Sequence, residues 1–165
     1  MSRDGNQIGL GSRHTKIHAP ELVDSAFSME VRDGALLYSA MSLADLAHAV
    51  MLIETDIIPQ ESRVDLLKAL LEMHNMSIEE IDFDNALVDV YTNRDHMLHQ
   101  KTPDSAGWIQ AGRPRREVST LAYLIVTRAE LLEVVKAVST LMETLLDFSE
   151  EHLSTILPDY TYLQR

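Results

Sequence analysis

After position 20 the apolar residues recur at three- and four-residue steps through most of the chain, and this spacing predicts helices. Leu22, Val23 and Phe27, following Pro20, predict a short first helix. Leu36, Leu37, Ala40, Leu43, Ala44, Ala47, Val50 and Met51 predict a longer one from about Asp33 to Thr55. Pro59 fits the start of a third helix, with Val64, Leu67, Leu70 and Leu71 as its buried stripe. Ser77-Ile78-Glu79-Glu80 has the form of a capping box, but Asp82 to Asn85 interrupts it. A short turn is therefore expected before a fourth helix from about Ala86 to Gln100. Between Pro114 and about His152 there is no further glycine or proline, and Leu121, Leu124, Ile125, Leu131, Leu132, Val135, Val138, Met142, Leu145 and Leu146 hold one face. Such a helix would be about 50–57 Å long. That exceeds the dimensions of a domain whose radius of gyration is near ~15 Å. Val134, Leu141 and Phe148 widen its stripe, which predicts more than one packing surface. No segment alternates apolar and polar residues, and no Asn-Gly or Asp-Gly turn joins two such runs, so the predicted class is all-α.

The chain has 165 residues, 45% hydrophobic and 24% charged, the composition of an ordinary folded domain. Its organisation reads as an extended arm over 1–20, a helical domain over 21–112 and the start of a long-helix domain over 113–165. No uninterrupted apolar run approaches the roughly 18–20 residues that span a bilayer, and the first residues lack a signal peptide's apolar stretch. A cytoplasmic protein with no membrane partner is the simplest expectation. The absence of cysteine excludes disulfides, thiolate catalysis and zinc–thiolate sites. A net charge of −12 repels nucleic acid and anionic lipid, so an anion site would be a local exception.

Few motifs point to a cofactor. Gly9 and Gly11 do not make a phosphate loop, since neither G-x-G-x-x-G nor a Walker lysine follows. His96 and His99, three apart, and His14 and His18, four apart, have spacings that hold metals on helices, but no carboxylate completes either set. The sequence therefore predicts neither a cofactor nor a metal. Glu79-Glu80 and Glu150-Glu151 read as solvated surface, His48 and His152 as ordinary helix-face residues, and Met41, Met51, Met73 and Met76 as core.

The run Ala111-Gly112-Arg113-Pro114-Arg115-Arg116 is different. Pro114 suits the first position of a helix, which places Arg115 and Arg116 in the first turn, where the backbone dipole disfavours cations. Such placement is costly unless an anion binds there, and free N–H groups with two guanidinium groups suit a carboxylate or phosphate. The plainer reading is a solvated basic turn that balances neighbouring acids.

The run from 111 to 118, Ala-Gly-Arg-Pro-Arg-Arg-Glu-Val, resembles the Thr-Gly-Arg-Ser-Arg-Asn-Asp-Gln motif of argininosuccinate lyase, in the fumarase/aspartase superfamily. Residues 158–165, Pro-Asp-Tyr-Thr-Tyr-Leu-Gln-Arg, resemble the family's Pro-Gly-Tyr-Thr-His-Leu-Gln-Arg, at similar spacing across a similar helix. Val88-Asp89-Val90-Tyr91-Thr92 is similar to Glu-Asp-Val-His-Thr. Ala47-His48-Ala49 with Met51-Leu52, and Gly11-Ser12-Arg13, are weaker matches. The resemblance runs from about Gly11 onward and implies an N-terminal helical domain followed by the first long helix of a central bundle. It implies a β-elimination that splits a C–N bond of argininosuccinate, or another N-substituted aspartate, to give fumarate and an amine. Arg115 and Arg116 would then bind a substrate carboxylate and Thr161 would hydrogen-bond the succinyl part. Asp89, Tyr91, Thr92 and Gln164 would line the pocket, and Tyr162 stands at the catalytic position.

Four positions depart from the family pattern: Pro114 for Ser, Arg116 for Asn, Tyr91 for His, and Tyr162 for the histidine that assists proton transfer. A phenol with a reference pKa near ~10 is a poorer proton shuttle than imidazole near neutrality. The family's Gly-Ser-Ser-x-Met-Pro loop, which carries the serine assigned as base, has no counterpart in these residues. Family members are homotetramers, so the expected partners are a small dicarboxylate, further copies of the chain, or a complementing C-terminal lyase chain. The alternative is a non-catalytic homologue acting as an oligomerising or anion-binding module.

Overall fold

A computed structural model describes residues 18–164, and all regular elements among them are helical apart from an isolated bridge between Thr161 and Gln164. The predicted arm up to position 17, with Gly11-Ser12-Arg13 and His14, lies outside the described residues. The chain divides into two compact units, one up to Val126 and one from Thr127.

In the first unit, Pro20 opens a helical segment, α1, that runs through Pro20–Leu22, a π-helical turn Val23–Phe27 and Ser28–Val31. Hydroxyl back-bonds accompany the irregular turn: Ser28 Oγ donates to the Asp24 carbonyl at 2.7 Å. Helix α2, Gly34–Glu54, closely matches its predicted span. Its glycine has a packing reason, since a Cβ at Gly34 would lie 2.9 Å from the ring of Phe83. The apolar residues of α2 do not share one face. Leu37, Ala40, Met41, Ala44, Ala49 and Leu52 are buried, whereas Leu36, Leu43, Val50 and Met51 are exposed. By length and hydropathy α2 resembles a membrane span, which the sequence reading did not anticipate. Half of its most apolar stretch is buried within this unit, and it carries the buried Asp45, so it is a core helix.

Pro59 is the residue before α3, Gln60–Asn75. The buried stripe of α3 is Ser62, Leu66, Ala69, Leu70 and Met73, so the prediction was turned by about one residue, and Val64 and Leu71 are exposed. Two adjacent leucine pairs, at 66–67 and 70–71, leave the period ambiguous. The entry to the helix decides it: Arg63 Nε donates to the Ile58 carbonyl at 2.9 Å, and its Nη2 pairs with Asp56 at 2.8 Å.

The expected capping box at Ser77 is present around a single 3₁₀ turn, Ile78–Glu80. The fourth helix begins later than predicted, as α4, Val90–Lys101. A 3₁₀ turn Asn85–Leu87 precedes it, and Val88 then adopts a left-handed φ of 74° that no helix accepts. Another 3₁₀ turn, Ala106–Gln110, leads to α5, Arg115–Glu151. Two clusters form the core. Ala49 and Leu52 of α2 join Ile58, Leu66, Ala69, Leu70, Met73, Leu98 and Ile109 in one, while Leu37, Met41 and Ala44 join Val90, Val118 and Ala122 in the other.

In the second unit, all described residues from 127 to 164 are exposed. Leu131, Val135, Val138, Met142 and Leu145 are each 49–61% exposed, a continuous apolar face on the helix.

The revised register of α3 has a direct test. Truncating the fully buried Leu66 to Ala should cost about 2–5 kcal/mol, and Leu71→Ala should stay within about 0.5 kcal/mol of the parent. Urea denaturation of the two variants measures both, and a larger loss for Leu71→Ala than for Leu66→Ala would restore the register predicted from sequence.

Candidate functional site

Asp45 lies in the middle of α2, on the side turned toward α4 and the loop before α5, where its side chain is 12% exposed. Two guanidinium groups hold it. Arg94 of α4 donates through Nη2 to Asp45 Oδ2 at 2.8 Å, and Arg113 of the loop pairs with Oδ1. Arg94 also donates to Ser42 Oγ at 2.9 Å and stacks over the Tyr38 ring at 4.5 Å. The Tyr38 hydroxyl in turn donates to the Met73 carbonyl at 2.8 Å. A carboxylate between two cations, all three nearly buried, is stable only because its charge is met on both sides.

Gly112 bends the loop with a left-handed φ of 74°. His48, one turn beyond Asp45 on α2, bonds through Nε2 to the Ala111 carbonyl at 3.0 Å. Burial and then the nearby Arg113 push the His48 imidazole below its ordinary pKa, so its neutral form is favoured.

Asp89 is the N-cap of α4. Its Oδ1 accepts from the Thr92 amide and the Thr92 hydroxyl, each at 2.7 Å, and its Oδ2 accepts from Arg115 Nη1 at 2.8 Å. One carboxylate thus starts a helix and orients the first residue of α5. Asn93 supports it by donating to the Asp84 and Asp89 carbonyls at 3.0 and 2.9 Å. Arg115 keeps 49% of its side chain exposed, and Arg116 is exposed with no ion-pair partner among the described residues. Helix α5 begins at Arg115, one residue after the predicted Pro114, so both arginines still occupy its first turn.

The Tyr91 phenol is pushed up to about 12, first by burial and then by the Asp95 carboxylate, with Arg113 opposing. It stays protonated at neutral pH. A cavity of about 10 Å³ beside it is lined by Asp45, Tyr91, Arg94, Asp95 and Arg113, with room for one water. A larger polar cleft of about 330 Å³, bounded by Lys68, Glu72 and Lys101, contains none of the predicted site residues.

The first unit therefore brings together Asp89, Tyr91, Thr92 and Arg115. Thr161, Tyr162 and Gln164 lie in the second unit, in a turn closed by Thr161 N to Gln164 O and Gln164 N to Thr161 O, each 3.0 Å. Tyr162 and Leu163 both have positive φ, 53° and 63°, with side chains 94% and 97% exposed. Neither is glycine, so the turn carries strain of about 1 kcal/mol or more per residue. His96 and His99 are engaged elsewhere, with Gln100 Nε2 at 2.9 Å and the Asp95 carbonyl at 2.8 Å.

Sequence reasoning missed Asp45, Arg94 and Arg113 as a unit, and it took His48 for an ordinary face residue. A signal for Asp45 did exist, since it is the sole ionic residue between Asp33 and Glu54 in an apolar helix other than His48. Such a residue must find a counter-charge.

Comparison with curated proteins finds relatives along most of the chain. Argininosuccinate lyase of Staphylococcus carnosus (strain TM300) is 29% identical over 147 residues, covering 88% of this chain and 32% of the relative. Argininosuccinate lyase 1 of Shouchella clausii (strain KSM-K16) is 30% identical over 146 residues, 87% of this chain and 29% of the relative. Argininosuccinate lyase of Staphylococcus aureus (strain USA300) is 27% identical over 121 residues, 73% and 26%. No family model and no solved structure matches. The chain spans about a third or less of the length of the curated relatives it matches.

Two measurements probe this geometry. Asp45→Asn leaves two buried guanidinium groups short of a counter-charge and should cost about 3–5 kcal/mol in urea denaturation; a loss under 1 kcal/mol would mean the cluster is not buried in solution. The lowered His48 pKa makes the fold favour the neutral ring. Its contribution is intact above the ordinary histidine value of ~6.5, shrinks as pH falls below it, and levels off under the folded pKa. The parent should therefore lose stability relative to His48→Gln between about pH 7 and 5, and parallel pH profiles would contradict the shift.

Proposed function

We propose that this chain, a relative of argininosuccinate lyases over most of its length, supplies the substrate-carboxylate-binding part of a β-eliminating C–N lyase. The observation that carries the reading is the placement of Arg115. It sits in the first turn of α5, half exposed, held by Asp89, with the exposed Arg116 beside it. Two cations at a helix N-terminus disfavour one another and the dipole, and a bound dicarboxylate relieves both. In β-elimination, negative charge builds on the carboxylate next to the carbon that loses its proton, so a preoriented guanidinium there stabilises the transition state. Thr161 and Gln164 would supply further donors to the succinyl group, and Tyr162 would stand where a proton-transfer group is needed.

The substrate class is an N-substituted aspartate, argininosuccinate first among them. Arg116 adds a positive charge that suits a more anionic substituent. The reading includes association with further copies of the chain or with a complementing C-terminal lyase chain. The exposed apolar face of the second unit supports association of that kind. A second reading, a non-catalytic anion-binding module, is favoured by one observation: Tyr91 is held protonated, with its phenol pushed up to about 12.

Fumarate release from argininosuccinate, followed by ultraviolet absorbance, separates the two. The chain would be assayed alone and co-expressed with the C-terminal part of the Staphylococcus carnosus lyase. Fumarate should appear only in the mixture and fall by about 10²-fold or more with Arg115→Ala. A mixture that assembles and yields none would overturn argininosuccinate as the substrate and leave another N-substituted aspartate or the binding module.

A further inference from the structure

The loop 111–114 has no regular structure, yet it sets where α5 begins and so where Arg115 and Arg116, in the first turn of α5, are placed. Three contacts tether it. Arg113 is tied to Asp45 and Arg115 to Asp89, but both are side-chain tethers on long, flexible stems. Besides the local turn bonds of Ala111 N to Trp108 O and Arg113 N to Gln110 O, a distant contact reaches the loop's backbone: His48 Nε2 on the Ala111 carbonyl, at 3.0 Å, immediately before the left-handed Gly112. His48 and Asp45 are three residues apart, on one face of α2, so a single rigid helix holds the loop on both sides of its bend.

We infer that His48 is a positioning residue for the anion-binding loop, acting through the Ala111 carbonyl to set the bend at Gly112 and so the placement of Arg115 and Arg116. The inference rests on the reading of those arginines as carboxylate-binding. The task needs an N–H donor at the reach of Nε2 and no charge. A protonated ring would add a second cation next to Arg113, with Asp45 and Glu117 as the facing carboxylates.

Reach is the variable to test. Glutamine places its amide nitrogen close to where Nε2 of histidine lies, and asparagine stops one methylene short. Both variants remove the ring and its titration equally, so a general loss of packing is common to them. In the full-length chain, amide and arginine-Nε NMR signals of Gly112, Arg115 and Arg116 report the loop, and titration with succinate reports the site. His48→Asn should shift the loop signals and weaken succinate binding by about fivefold, the worth of one hydrogen bond. His48→Gln should restore both to parental values. If the two variants behave alike, in loop signals and in affinity, the inference is overturned. If the parent binds no succinate, or binds it equally well with Arg115→Ala, the carboxylate-site reading fails. The loop signals of the Asn and Gln variants still decide the positioning role.

Discussion

A single buried carboxylate organises the first unit. Asp45 is met by Arg94 from α4 and Arg113 from the loop, and these three side chains are between 3% and 12% exposed. Removing charges from water is expensive, so such a cluster persists only when its geometry is met in full. That requirement reaches well beyond the three residues. It fixes the rotation of α2, because Asp45 must face α4, and therefore which apolar residues of α2 enter the core. It also holds α4 close enough for Arg94 to lie over Tyr38, whose hydroxyl reaches the end of α3.

The loop that carries Arg115 and Arg116 inherits its position from this cluster. Arg113 enters the core, where its side chain is 6% exposed and paired with Asp45, so the next residues begin a helix from a fixed point. Asp89 then acts twice, as the cap of α4 and as the partner of Arg115. One carboxylate thereby couples the start of α4 to the start of α5. The exposed guanidinium groups are presented by buried ones, an arrangement that lowers the ordering cost of binding an anion.

Much of this architecture is legible in the sequence. The spans of α2, α3 and α5 follow from long apolar periods, and the capping box at Ser77 from four residues. The rest depends on tertiary choices that periodicity does not carry. Leu66 and Leu67 are equivalent to a period of 3.6, and the choice between them lies in tertiary packing, where Leu66 meets Ala49, Leu52 and Leu98 in the core. The start of α4 is set by Val88 in a left-handed conformation, which nothing about valine announces. Of the site, the motif at 111–116 marked Arg115 correctly as a first-turn residue. Asp45 and Arg94 lie 68 and 19 positions before Arg113 (113 − 45 and 113 − 94) and are joined to the motif only by folding.

The chemistry open to the first unit is unequal. Ordering a half-exposed guanidinium needs a fixed counter-charge, and Asp89, itself held by the Thr92 amide and hydroxyl, supplies it to Arg115. Moving a proton needs a group that changes state near neutrality, and the groups here are arranged against it. Tyr91 is pushed up to about 12 by its carboxylate neighbour and its burial, while His48 is kept neutral and spends its Nε2 on a backbone carbonyl. Substitution of tyrosine for histidine at position 91 thus has a defined physical effect. It exchanges a group that titrates near neutrality for one that stays protonated there. Ordering Arg115 and moving a proton thus rest on different groups, and the described side chains of the first unit serve the first.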